Sequence, residues 1–394
     1  MSSVKATGAS FENIRTEGSN TLKFQLVNTH VTYANTLRRT ILSEVPSVGF
    51  RAEILKNGTT SDVVVSRNTT AMSNEMFAHR VGLILVHANP HTWDPEKYVF
   101  ELNVENNTDK CLDVWVSDIV VSERRDDEYV KVPNTTFFHP DPITHDTCLL
   151  AVLKPKVGNA PPEAIAFKAK ATVGIGRENV RFTPTSQCSY SYTPDEDPEN
   201  IKAIFTSWLD RHKKISYIEL ENDSERKKLY EREFNTMEIA RCYKKDSKGE
   251  ANSFDFTIET AGAFKPIDIV IEALKALEKK CYAYTSVDKE LPENVKIQST
   301  KKEAQGFDIY FQNEDHTLGN LFTTWMDEHY LDPTGLNEEL ITYCGYCIPH
   351  PLRDEMLMTI FAKSDLVCRK ALVAAATATT RMFGAWRENL GNKR

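Results

Sequence analysis

The sequence predicts an α+β protein made of two related units, and three observations carry that prediction. At two places, alternating apolar residues lead directly into helical apolar spacing. The second place repeats the first at an offset of 285 residues, Phe24 to Ile309. Between them lies a long stretch of short strand signals broken by turns.

In the first place Leu22, Phe24 and Leu26 alternate as a strand, and Asn28 marks a turn or a helix start. Val31, Ala34, Leu37, Ile41 and Val45 then recur three or four residues apart, as one face of a helix requires. In the second place Phe307, Ile309 and Phe311 alternate, Asn313 follows, and Leu318, Leu321, Phe322 and Trp325 form the apolar stripe. Within these helices Asn320 takes the place of Asn35, and Gly319 that of Ala34. Each half carries a further strand and helix. Phe254, Phe256 and Ile258 alternate, Ala261 and Gly262 break the strand, and Pro266 suits a first helical turn. Ile267, Val270, Ile271, Leu274 and Leu277 share one face of the helix that follows. In the other half, residues 355–361 read as a strand. Val367, Ala371, Ala374, Ala378, Met382 and Trp386 then mark a long helix, whose alanine-rich centre permits another helix to approach closely.

Residues 98–104, 113–121, 149–153 and 167–173 read as short strands, separated by Asn-, Asp- and Pro-rich turns such as 106–109 and 139–142. The predicted organisation is therefore a first unit in two pieces, 1–50 and 235–281, interrupted by a β-rich insertion, 51–234. A polar linker, 282–302, leads to a second, smaller unit, 303–394. The charge-rich run 222–250 reads as a solvated helix or arm.

Composition agrees with packed cores: of 394 residues, 41% are hydrophobic and 26% charged. A formal charge of -8 has the wrong sign for a dedicated nucleic-acid binder. The polar stretch 1–19 holds no signal-peptide core, and the small-apolar run 371–378 is far short of the roughly 20 residues a membrane span needs. The eight cysteines are scattered as reduced thiols would be. The expectation is a soluble intracellular protein that makes no membrane contact.

Catalytic and metal-binding patterns are weak. Cys344 and Cys347, with His350 nearby, have the only metal-like spacing, and a tetrahedral zinc site would need a second pair. His139, Asp141, His145 and Asp146 cluster in a proline-rich loop. Asp195, Glu196 and Asp197 form a dense acidic run, but without a strand pattern rigid enough to fix a metal's geometry. No P-loop, nucleophile elbow or H-E-x-x-H motif occurs. The reading expects no catalytic residue, no cofactor and no metal.

Several motifs go further. Residues 34–39 (ANTLRR), with Glu44 and Pro46, resemble the first helix of the alpha family of RNA polymerase subunits: bacterial alpha, archaeal D and the third-largest subunit of eukaryotic polymerase II. Residues 68–70 (NTT), 74–83 (NEMFAHRVGL) and the set Gly174, Gly176, Phe182 and Pro184 are similar to later segments of the eukaryotic and archaeal members. Residues 313–321 (NEDHTLGNL), with His350 and Pro351 downstream, resemble the smaller partner, archaeal L or the eleventh polymerase II subunit.

The resemblance implies a non-catalytic assembly platform in which both partners of an alpha-like heterodimer are fused in pseudo-twofold arrangement. Each partner in that family contributes two helices to a shared interface, which here would bury Leu37, Ile41, Val270, Leu274, Leu318, Leu321, Phe322 and Trp325. Asn35, Arg38, Arg39, His79 and Arg80 would face other subunits. The implied partners are the largest and second-largest polymerase subunits and small accessory subunits, with nucleic acid touched only indirectly. No homodimer is expected, because a tethered partner reaches an effective concentration on the order of millimolar. Some relatives hold a metal on a cysteine cluster in the insertion; Cys111, Cys148 and Cys188 are too dispersed to carry that site over. A fused form resembles those of large DNA viruses, placing the protein in host cytoplasm and virion if viral, or in the nucleus if cellular. A second reading is an alpha-like regulator that binds polymerase subunits without joining an active enzyme.

Overall fold

The computed structural model describes residues 8–53, 62–126, 128–221, 223–300, 306–332, 334 and 336–393. The first unit opens with a hairpin of β1 (Ser10–Glu17) and β2 (Thr21–Val27), followed by α1 (Val31–Ser43) and a short β3 (Pro46–Gly49). The chain then builds a β-rich body from β4 (Val63–Asn68), α2 (Asn74–Gly82), β5 (Tyr98–Glu105), β6 (Leu112–Trp115), β7 (Val120–Arg125), β8 (Glu128–Val132), β9 (Leu149–Leu153), β10 (Ala164–Ala169) and β11 (Thr172–Ile175). It returns through β12 (Thr185–Tyr192) and makes three helices, α3 (Pro198–Trp208), α4 (Tyr217–Glu221) and α5 (Ser224–Met237). The first unit closes with β13 (Ser253–Thr260) and α6 (Pro266–Tyr282). The second unit comprises β14 (Val295–Ser299), β15 (Phe307–Gln312), α7 (His316–His329), β16 (Tyr343–Cys347), β17 (Glu355–Phe361) and α8 (Asp365–Gly391).

Both units are four-stranded antiparallel sheets with two helices on one face. The strand orders, β1-β2-β13-β12 and β14-β15-β17-β16, correspond position for position. Alternation explains the sheets: Leu22, Phe24 and Leu26 turn inward from β2, and Phe24 stacks on Phe256 of β13 with ring centroids 4.9 Å apart. The matched asparagines have a backbone reason. Asn28 and Asn313 sit between strand and helix at φ 57 and 60, a left-handed conformation that asparagine tolerates better than most residues. The helix caps fall two residues later, where His30 Nδ1 accepts from the Thr32 amide (3.2 Å) and Asp315 Oδ1 from that of Thr317 (2.7 Å).

The structure corrects the expected boundaries. The stretch 51–234 is not one β-rich insertion. Its β12 pairs with β13 in the first unit's sheet, and α3 to α5 pack around Phe205, Trp208, Leu209, Leu220 and Phe234 as a separate helical insertion. The polar strand β12 buries only Thr185 and Cys188, so its sequence shows little alternation. The charged run 222–250 is anchored in that helical core by Phe234, while its Asn222 lies outside the described residues. Residues 113–121 form two strands, because a 3-10 turn at Val116–Asp118 separates β6 from β7. Residues 167–173 divide between β10, in the five-stranded sheet β4-β10-β5-β7-β8, and β11, which pairs with β3. The linker is shorter than 282–302, since β14 already pairs with β15 from Val295 onward. Tyr284 and Val287 tuck it into the core, at 2% and 0% exposure. Residues 301 and 302 lie outside the described set.

The β-rich body joins the first unit through a tight approach at Gly176. A Cβ there would collide with the backbone carbonyl oxygen of Leu42, at the end of α1. Only a glycine lets β11's exit lie against that helix.

Candidate functional site

The helices α1, α6, α7 and α8 meet face to face, with α1 and α8 each lying against both α6 and α7. One continuous core spans both units. It holds Leu37, Ile41, Val270, Leu274 and Phe322 at 0% exposure, Leu318 and Leu321 at 1%, and Trp325 at 7%. Burying each such side chain contributes about 1.5–3 kcal/mol, so this shared core is the main force holding the units together. Ala371, Ala375 and Ala376 of α8 are wholly buried, and their small side chains allow α6 to close on it.

The contact between α1 and α7 is the same contact made twice. Arg39 Nε donates to Thr317 Oγ1 at one end (2.8 Å), and Thr324 Oγ1 bonds Thr32 Oγ1 at the other (3.2 Å). Thr317 stands 285 residues after Thr32, and Thr324 stands 285 after Arg39. Such reciprocity, i on j and j on i, is the mark of a twofold relation. The edge strands repeat it. Cys188 of β12 reaches the Arg38 carbonyl (3.8 Å), and Cys344 of β16 reaches Thr323 Oγ1 (3.9 Å), at the equivalent helix position. Burial pushes both thiols up to about 12. The pairs Cys188/Tyr190 and Cys344/Tyr346 are a second repeat that the sequence offered and the strand–helix comparison missed.

Residues 313–321 show how one motif serves this seam. Glu314 takes Lys280 of α6 (2.9 Å) and the Tyr284 hydroxyl (3.1 Å). Asp315 caps α7, and Thr317 receives Arg39. A Cβ at Gly319 would run into the Tyr346 ring, and Asn320 reaches Thr32. Arg177, leaving the β-rich body, ties Glu44 of α1 to Asp315 and donates to the Asn313 carbonyl (3.1 Å). All three bodies therefore converge on one half-buried charge cluster.

Burial raises the Glu314 carboxyl above its ordinary value, against the pull of Lys280, Tyr284 and Arg177. Burial also opposes ionisation of Asp315, but the Thr317 amide and hydroxyl, with Arg177, outweigh it and hold that carboxyl low. The two acids thus act oppositely. Glu314 favours folding below the ordinary carboxylate range, a contribution lost as pH rises through its raised value. Asp315 contributes above that range and loses its contribution as pH falls. Lys280→Met should cost about 3 kcal/mol at pH 7.5, because it strands Glu314 without its cation. The deficit relative to wild type should shrink as pH falls and Glu314 protonates. Denaturant melts across pH test this; a pH-independent deficit would mean that Lys280 acts by packing alone.

The expected partner-facing residues divide. Arg38 Nε is held by Asn35 Oδ1 of its own helix (3.0 Å), and both side chains remain half exposed on α1. His79 is exposed on α2. Arg39, whose side chain is also 40% exposed, bonds Thr317 and Asp315 within the chain, because the α1–α7 crossing brings them beside it. Arg80 donates to the carbonyls of Leu149 (2.6 Å) and Leu150 (2.9 Å), tying α2 to β9.

The remaining candidate clusters have structural roles. Cys344 faces inward and Cys347 outward from β16, as residues three apart on a strand must, so they do not converge on one ion. Cys111 and Cys148 flank opposite ends of the β6–β9 ribbon. His139 stacks on His87 at 3.8 Å, and Asp141 accepts from the Ile143 and Thr144 amides to close a turn. Asp197 caps α3, while Asp195 accepts from the Asp197 amide. Among the described residues no three His, Cys, Asp or Glu side chains gather as a metal site.

Comparison with known proteins agrees with this geometry. The RNA polymerase Rpb3/Rpb11 dimerisation domain matches residues 23–281, and a second form of the same domain matches 307–389. The chain belongs to the RNA polymerase Rpb3/Rpb11 dimerisation domain family, which it carries twice in tandem. It is 24% identical over 289 residues to DNA-directed RNA polymerase II subunit RPB3 of Schizosaccharomyces pombe, covering 68% of this chain and 83% of that one. It is 27% identical over 307 residues to DNA-directed RNA polymerases I and III subunit RPAC1 of Saccharomyces cerevisiae, covering 68% and 84%. DNA-directed RNA polymerase subunit Rpo3 of Aeropyrum pernix is 24% identical over 261 residues, covering 64% and 85%.

Proposed function

We propose that this chain is the assembly platform of a multisubunit DNA-directed RNA polymerase, with both halves of an alpha-like pair fused in one polypeptide, and that it binds the second-largest subunit to nucleate the core. The observation that carries this reading is the reciprocal α1–α7 contact, which makes a pseudo-twofold pair from a single chain. The half-exposed Asn35, Arg38 and Arg39 and the exposed His79 and Arg80 are the polar groups offered to partners, Arg39 and Arg80 while also bonded within the chain. The largest subunit and small accessory subunits complete the proposed set of partners. The chain itself supplies no step of nucleotide addition in this reading and meets nucleic acid only through the complex. By likeness to fused forms, we place it in host cytoplasm and virion if viral, or in the nucleus if cellular.

Native purification of the tagged full chain from its source should bring down the two largest polymerase subunits and promoter-independent RNA synthesis. A stable partner complex without polymerase activity would overturn the reading. Arg38→Glu should leave folding intact, since among the described residues the Arg38 side chain is hydrogen-bonded only to Asn35 of its own helix, yet weaken recovery of the second-largest subunit about thirtyfold. Unchanged recovery would remove Arg38 from the docking surface.

A further inference from the structure

The matched sheets differ on the faces turned away from the helices, and five of the differences run from polar to apolar or aromatic. The registers β2–β13–β12 and β15–β17–β16 superpose pair by pair, so each outward residue of one unit has a counterpart in the other. Gln25 corresponds to Tyr310, Asp255 to Leu357, Glu259 to Phe361, Gln187 to Tyr343 and Ser191 to Cys347. At these five positions polar residues of the first unit have become apolar or aromatic in the second, while Asp308 and Thr359 keep the polar character of Lys23 and Thr257, and Gln312 replaces Val27. Tyr343 is 49% exposed and lies beside Phe361, with ring centroids 5.0 Å apart. Cys347 is exposed, while Tyr310 and Leu357 are half covered by their sheet neighbours. A solvated sheet face ordinarily alternates to polar, as the first unit's does. Five such replacements gather apolar side chains on one face, and the largest apolar patch on a protein surface is often functional.

The size of the patch selects its occupant. Five partly covered side chains offer on the order of 300 Å², against about 800 Å² per partner in a stable free-standing interface. Two copies of this chain pressed together here would not hold. A partner already anchored elsewhere on the molecule needs no more. We infer that the outer face of the second sheet, Tyr310, Tyr343, Cys347, Leu357 and Phe361, is a secondary docking surface. Its occupant is an apolar helix or loop of a polymerase polypeptide that the complex already holds. This inference rests on the assembly reading above.

Its test uses the full chain in the native complex, with a photo-crosslinking phenylalanine analogue at Tyr310 or Tyr343 and, as controls, at Gln25 or Gln187. The expected result is crosslinking from 310 and 343 to another polymerase subunit, about tenfold above the controls, with the crosslinked peptide rich in apolar residues. The triple variant Tyr310→Gln, Leu357→Asp, Phe361→Glu grafts the first unit's residues onto the second. Carried together with the analogue at Tyr343, it should abolish the crosslink from 343 while leaving the melting of the isolated chain unchanged within a few degrees. Equal yields at all four positions, or crosslinks only to a second copy of this chain, would overturn the inference while the assembly reading stood. Absence of polymerase subunits from the wild-type preparation would instead remove the assembly reading, and this inference with it.

Discussion

Phe322→Ala should lower the unfolding free energy by about 4 kcal/mol, the range for emptying a buried aromatic site. Phe322 has no solvent exposure, and its ring meets Tyr284, from the segment joining the units, edge-on at 6.0 Å between centroids. The cavity would therefore open in the core that the two units share, at a point packed from both sides. Guanidinium denaturation should show the midpoint falling and one cooperative transition broadening or splitting as the units uncouple. A loss below 1 kcal/mol with cooperativity intact would mean that the core repacks around the void and that Phe322 does not couple the units.

Trp386→Ala should cost a similar amount, about 3–5 kcal/mol, where α8 meets β1. Trp386 lies near the end of α8 and packs edge-on against Phe11 of β1, with ring centroids 6.1 Å apart. Asn389 accepts from the Phe11 amide (3.3 Å), and Lys393 donates to the Phe11 carbonyl. The chain's last helix thereby clasps its first strand. The indole N–H of Trp386 is buried without a hydrogen-bond partner among the described residues, so Trp386→Phe removes an unsatisfied donor along with some volume. It should cost no more than about 1–2 kcal/mol. Equal losses for the two variants would show that the indole's full volume, rather than an aromatic ring, is what β1 requires.

The repeated strand–helix unit was legible because its signal is periodic and dense: three alternating apolar residues, a left-handed asparagine and a stripe at helical spacing, all at one constant offset. The eight interface residues follow from the same stripes and occupy one core. The correspondence of β12 with β16 escaped because the insertions differ in length. Cys188 and Cys344 stand 156 residues apart rather than 285, and polar edge strands alternate weakly. The helical insertion carried a signal that went unread, since Ile201, Ile204, Phe205, Trp208 and Leu209 recur at helical spacing; only in α4 and α5 are the buried residues, Leu220 and Phe234, diluted by charge.

Charged positions were the least legible part of the candidate site. Arg38 and Arg39 are adjacent in sequence, yet one remains on the surface and the other is engaged by α7. The 100° step between neighbours on a helix decides this, and it cannot be judged without knowing where the second helix lies. Glu314 reads as an ordinary surface acid until Lys280 and Tyr284 are brought beside it from 34 and 30 residues upstream.

The one-sided charge on the reciprocal seam bears on which halves can recognise each other. Asp315 caps its helix where His30 caps the other, and Arg39 stands where the other unit has Thr324. Two first units brought together in this geometry would set Arg39 against His30, a cation facing an imidazole. Two second units would set Asp315 against Thr324, a carboxylate with no cation to meet it. Only the unlike pairing puts Arg39 beside Asp315. The seam therefore favours unlike halves over like ones, and the tether makes a chain's own second half the nearest unlike partner of its first.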